Sequence, residues 1–247
     1  MLSQKKISDI VDENYVFASV LYFFGINFFD YSEETLENVC NKKGLDIKSV
    51  VRDLENVNQK GQAHNHFLRK LPVVLVIEYL KHSHHVLIKK RLPYIAQLIG
   101  ELDRNVSPVQ LIEDLKWIFP VFVEDFIHHT YKEEDTLFNY ILQLDKSSKG
   151  KLLPSKIYFT IRQTALRKFA VEHELHDEEL HGISEINNGY QLDDTDPVHL
   201  KVIFYELREL EHELRIHASI ENEILFPKAL ILEQKVLKQM AETAKLN

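Results

Sequence analysis

Two segments of this chain repeat one pattern, H-x3-E-x3-L-F: His129 with Glu133, Leu137 and Phe138, then His217 with Glu221, Leu225 and Phe226, 88 residues later. An i, i+4 pair shares one helix face with side-chain roots about 5–6 Å apart, so each His and Glu can reach a common point. A further histidine stands 44 residues before each pair, His85 before His129 and His173 before His217. That interval suits an antiparallel helix pair whose arms of about 20 residues each span roughly 30 Å and are joined by a turn. The doubled pattern therefore calls for four long helices presenting four imidazoles and two carboxylates at one level.

The rest of the sequence agrees with long helices. Glycine and proline number only 7 each in 247 residues, so turns are few, and no glycine-rich phosphate loop is present. Ser8 or Asp9 can cap a helix running to Phe24, Ser32 can cap Glu33 to Lys43, Gly44 stops that segment, and Asp46 opens another to Val57. The polar stretch from Asn58 to His66 reads as a linker. Four long segments follow: Leu71 to Leu102 with Pro93 inside, Ser107 to Leu144 with a kink at Pro120, Pro154 to Gly189, and Pro197 to Leu225, where Pro227 interrupts. A last amphipathic helix runs from Ala229 to Lys245. The expected fold is all-α: a small N-terminal helical domain over 1–57, a linker over 58–68, and an up-down-up-down four-helix bundle over 69–247.

Thirty Lys and Arg against 38 Asp and Glu give a net charge of −8, which argues against a nucleic-acid partner. A single cysteine, Cys40, excludes an internal disulfide framework and fits a reducing compartment. The N-terminus lacks the apolar stretch of a signal peptide, and no apolar run approaches membrane-spanning length. A cytoplasmic protein with no membrane partner is expected.

The histidine register follows from the repeat. His84 and His128 are also 44 apart, but Lys132 follows His128 by four and Glu172 follows His84 by 88. Only His85, His129, His173 and His217 complete the pattern, with Glu133 and Glu221 as carboxylates. Six N and O donors without a thiolate exceed a structural zinc site and suit two iron or manganese ions, whose mutual repulsion bridging carboxylates would relieve. Ferritin-like bundles use more carboxylates and a Glu-x-x-His order, which this chain lacks. The imidazole-rich set favours a small ligand such as O2 or NO over iron storage.

The doubled H…HxxxE with Leu-Phe after each Glu resembles hemerythrin-like domains. The segment from Val20 through Gly25, Phe29 and Asp30 to Leu36, then Gly44-Leu45-Asp46, resembles the N-terminal domain of the iron–sulfur cluster repair di-iron family (the RIC, YtfE and ScdA type). Leu92-Pro93 and Leu225-Phe226-Pro227 also match, and the resemblance covers nearly the whole chain. It implies two iron ions, oxo- or hydroxo- and carboxylate-bridged, held by His85, His129, Glu133, His173, His217 and Glu221, with Glu133 and Glu221 bridging. It implies a role in repairing clusters damaged by nitric oxide or oxidative stress, by iron donation rather than turnover catalysis, with damaged iron–sulfur proteins as partners. It also allows a homodimer through the N-terminal helices. The family's adjacent cysteines are absent: that position reads Phe29-Asp30-Tyr31-Ser32. Two alternatives stay open, an O2- or NO-binding or sensing module without iron delivery, and a di-iron NO or peroxide reductase.

Other residues have plainer readings. His84, His128, His176 and His212 read as surface or supporting groups, Lys89-Lys90-Arg91 as a solvated face, Cys40 as a buried small residue, and Phe23, Phe24, Phe28 and Phe29 as the core of the small domain.

Overall fold

The computed structural model describes residues 2–14, 16–56, 68–102, 109–153, 156, 157, 161, 166 and 195–245. Among them the protein is all-α, with no strand and one isolated antiparallel bridge between Lys6 and Thr35. The helices are α1 (Ile7–Glu13), α2 (Val16–Phe23), α3 (Leu36–Lys43), α4 (Ile47–Asn56), α5 (Val73–Val86), α6 (Leu92–Gly100), α7 (Val109–Lys132), α8 (Asn139–Ser148), α9 (Val198–Ile220) and α10 (Phe226–Lys245). Three π-helical segments, Leu87–Arg91, Glu133–Phe138 and Glu221–Leu225, join α5 to α6, α7 to α8 and α9 to α10.

Local chemistry sets the ends of the N-terminal helices. The expected single helix from Ser8 to Phe24 is two, because Asn14 leaves α1 in an extended conformation. Gly25, at φ 73°, turns the chain after α2. Thr35, not Ser32, caps α3 by accepting from the Asn38 amide at 3.4 Å. Gly44 closes α3 in the left-handed region, and Asp46 caps α4 by accepting from the Lys48 and Ser49 amides. Cys40 is buried, as its position suggested.

The three prolines expected to perturb the long helices take two kinds of position. Pro120 lies inside the unbroken α7. Pro93 and Pro227 each stand two residues past the end of a π segment, near the start of α6 and α10. A π segment exchanges i→i+4 for i→i+5 bonding, as the Phe226 amide does in donating to the Glu221 carbonyl. Where the ladder shifts, one carbonyl loses its amide partner, so a residue without N–H fits there. In the middle segment side chains take up that role: Thr136 Oγ1 donates to the Lys132 carbonyl, and Asn139 Nδ2 to the Asp135 carbonyl at 3.1 Å.

The chain divides into two compact units, one of Met1–Gln62, Arg91–Trp117 and Ile183–Leu210, the other of Ala63–Lys90, Ile118–Gly182 and Glu211–Asn247. In the first, Ile7, Ile10, Leu21, Leu36, Val50 and Leu54 are fully buried. Also in the first unit, Arg91 Nη1 donates to the buried Glu206 carboxylate at 2.6 Å, so Arg91 is not the solvated residue its Lys-Lys-Arg run suggests; Lys89 and Lys90 are exposed. In the second, α10 packs along α8, and Val76, Ile77, Leu80, Phe138, Ile141, Leu144, Ile220 and Leu225 share one core. The expected linker and most of the expected third long helix, including His173, lie outside the described residues.

Candidate metal centre

The buried stripe of each long helix decides which side chains face inward. On α5 it runs Val73, Ile77, Leu80, His84 and Leu87, with Val76 beside Ile77, the alternating four- and three-residue steps of a helix face. On α9 it runs Ile203, Leu207, Leu210, Leu214 and His217, and reaches Glu221 at the start of the π segment. On α7 it runs Phe119, Phe122, Phe126 and Thr130 to Glu133, with His129 at its flank.

Four polar side chains meet in the second unit where these stripes converge. His84 is 1% exposed, Glu133 5%, His217 7% and Glu221 0%. One ligand atom from each lies within 4.8 Å of all the others. His84 Nε2 is 3.0 Å from His217 Nε2 and 3.4 Å from Glu133 Oε2. His129 Nε2 lies 3.2 Å from Glu133 Oε1, and His217 Nε2 lies 3.3 Å from Glu221 Oε1. Two nitrogens bound at right angles to one ion, each about 2.1 Å from it, would be about 3.0 Å apart. The donors thus have the mutual spacing of ligands around a shared ion. A carboxylate held this deep is costly unless it is paired, coordinates a metal or is neutralised. Burial, with His217 alongside, holds the His84 imidazole below its usual range against the opposing pull of Glu133, Glu134 and Glu221. The neutral imidazole favoured by that burial is the form that binds a metal.

The structure corrects the expected register by one residue. His85 is exposed and outside the group, and His84 occupies the inward position. Successive residues on a helix point about 100° apart, so only one of the two can lie in the stripe. The 44-residue arithmetic missed this because turn lengths need not be equal in the two halves of a repeat. The stripe from Val76 to Leu87 carried the signal. Glu133, His217 and Glu221 are brought together with His84, His129 adjoins them through Glu133, and His173 is not among the described residues. His128 and His212 are exposed, whereas His84 is neither a surface group nor remote from the centre.

The sequence reading also passed over Glu134. Its Oε1 lies 2.9 Å from His84 Nδ1, on the opposite side of the ring from the centre. The Phe138 ring stacks on His84 at 5.7 Å between centroids and 12° between planes. A groove of about 260 Å3 reaches His217 between α5 and α9, with Val86, Leu87, Ile216 and Ile220 among its walls.

No described helix is long and apolar enough to cross a membrane. No family model matches the chain. A Staphylococcus epidermidis protein named iron-sulfur cluster repair protein ScdA is 19% identical over 224 residues, spanning 90% of this chain and 96% of the relative. Proteins named iron-sulfur cluster repair protein YtfE from Yersinia pseudotuberculosis and Escherichia coli are 21% and 22% identical, each over 80% of this chain and 84% of the relative. The chain is thus similar, over most of its length, to the iron-sulfur cluster repair proteins ScdA and YtfE.

Proposed function

We propose that this chain takes part in repairing iron–sulfur clusters, using a two-iron centre built on His84, His129, Glu133, His217 and Glu221. His173, outside the described residues, joins the proposed set because the resemblance to the repair family implies it. The observation that carries the reading is the convergence of two buried imidazoles and two buried carboxylates at the doubled HxxxE motif, in a chain similar to proteins named for repair. Iron bound there would supply an exchangeable, redox-active cation. The chain's own residues do the rest: Glu133 and Glu221 offer bridging carboxylates, the imidazoles keep the site's negative charge low, and apolar stripes flank the site above and below. In this reading the iron is donated to clusters damaged by nitric oxide or oxidants in the cytoplasm, with damaged iron–sulfur proteins as partners and a homodimer as the assembly. Mass-spectrometric metal analysis of protein expressed with iron should find close to two irons per chain. The loaded protein should reactivate an NO-damaged cluster enzyme. Reactivation by an iron salt alone, with none by the loaded protein, would discard the donor role.

A second reading is favoured by the groove at His217, where Val86, Leu87, Ile216 and Ile220 present apolar surface beside Tyr79, His82, Ser83 and Glu213 and leave room for a small uncharged molecule. It makes the centre a binding site for O2 or NO. Reversible spectral change on gas exposure with both irons retained under chelator supports it; loss of iron on exposure counts against it.

A further inference from the structure

We infer that Glu134 is a positioning residue, fixing the His84 ring in the Nδ1–H tautomer so that Nε2 presents its lone pair to the centre. The inference rests on the metal-binding reading above, and extends it to a residue outside the ligand set.

Glu133 and Glu134 are consecutive, yet both reach the same imidazole. Glu133 Oε2 lies 3.4 Å from His84 Nε2, and Glu134 Oε1 lies 2.9 Å from His84 Nδ1. In a regular α-helix neighbouring side chains diverge by about 100°, which sends one of them away. Glu133 and Glu134 open the π segment Glu133–Phe138, where the wider turn reduces that divergence. The same segment supplies Phe138, whose ring lies flat against His84. One π turn therefore contacts the imidazole at both nitrogens and on its face.

An ionised carboxylate only accepts hydrogen bonds. With Glu134 on Nδ1, the proton of the neutral ring belongs on Nδ1, donated to Glu134 Oε1, and Nε2 is left as acceptor or ligand. A carboxylate in that position also raises the basicity of the donor nitrogen. The Glu134 side chain is 30% exposed, and its Oε1 lies 2.9 Å from His84 Nδ1. At the matching position after Glu221 stands Asn222, which is exposed.

The test compares wild type, Glu134→Ala and Glu134→Gln. The Gln variant keeps a carbonyl acceptor for Nδ1–H and removes the charge. Histidine 15N–1H correlation spectra of metal-free protein at pH 8, with His84 assigned by its loss in His84→Gln, should show the Nδ1–H tautomer in wild type and in Glu134→Gln. In Glu134→Ala that preference should be lost. Chelator competition with Fe(II) should give a 10–100-fold weaker affinity for Glu134→Ala and recovery to within a few-fold for Glu134→Gln. An Nε2–H tautomer in wild type, or a Glu134→Ala protein with unchanged tautomer and iron affinity, overturns the inference. If wild type binds no iron, the metal reading fails, and the spectra of the metal-free protein still decide the role of Glu134.

Discussion

The Nε2 atoms of His84 and His217 lie 3.0 Å apart, while the ring of His85, the next residue in sequence, is exposed. The two adjacent histidines are chemically identical, so a difference between their variants reports geometry alone. His84→Ala should lose most of its iron after a desalting step in mild chelator, and His85→Ala should keep the wild-type content. Metal analysis of the two purified variants checks this. The reverse outcome would put His85 at the centre and contradict the buried stripe on α5.

The pattern that required long helices was visible in the sequence because it depends on period. Two HxxxE pairs can share a point only from helices, and few glycines or prolines interrupt them. The choice of His84 over His85 was also visible, though in the apolar steps from Val76 to Leu87 and not in the internal repeat. The π segments left a fainter trace. Their i→i+5 bonds have no composition of their own, and Pro93 and Pro227 mark a shifted ladder only once the helix is known to continue through them. Partners distant in sequence, such as Arg91 with Glu206, have no local signature. A basic run reads as solvated until a buried carboxylate from another helix meets it.

Glu133 and Glu221 place two carboxylates within 4.8 Å of one another in the interior. Without a cation they repel, and each resists desolvation. Glu221→Gln keeps the shape and removes one charge, so the metal-free variant should melt a few degrees above metal-free wild type. With iron in excess the order should invert. A ligand at 100 times its Kd adds about 2.7 kcal/mol to wild type, and the variant should gain far less. Calorimetry with and without chelator distinguishes the two states, and an equal iron-induced rise in both proteins would remove Glu221 from the ligand set.

Arg91 and Glu206 form an ion pair whose side chains are 11% and 1% exposed, at 2.6 Å. Removing one partner leaves the other charge buried, which typically costs about 3–5 kcal/mol. Arg91→Met should therefore lower the melting temperature by roughly 10 °C. The double variant Arg91→Met, Glu206→Leu should recover much of that loss, because an apolar pair of similar volume carries no desolvation penalty. A double-mutant cycle in urea measures the coupling. Strictly additive losses would mean that the two groups do not act as a pair.

His199 lies in the first unit, with Nε2–H donating to the Leu98 carbonyl at 2.9 Å and the ring stacked on Phe29 at 5.2 Å and 6°. Burial lowers its pKa from the usual 6.5, against the raising effects of the Leu98 carbonyl and Glu101, with Lys116 lowering it further. The sign follows from proton counts: below about pH 6.5 the unfolded chain binds a proton at this residue that the folded protein refuses. Its contribution to stability is therefore complete above that pH and is lost as pH falls towards the folded value. His199→Gln keeps a donor for Leu98 and removes the titration. Urea unfolding of metal-free protein at several pH values between 7.5 and 5 should show wild type losing stability more steeply than the variant. His84 contributes a slope of the same sign in both proteins, since it is also buried with a lowered pKa, and it cancels in the comparison. Parallel curves would show that the His199 proton is not excluded by folding.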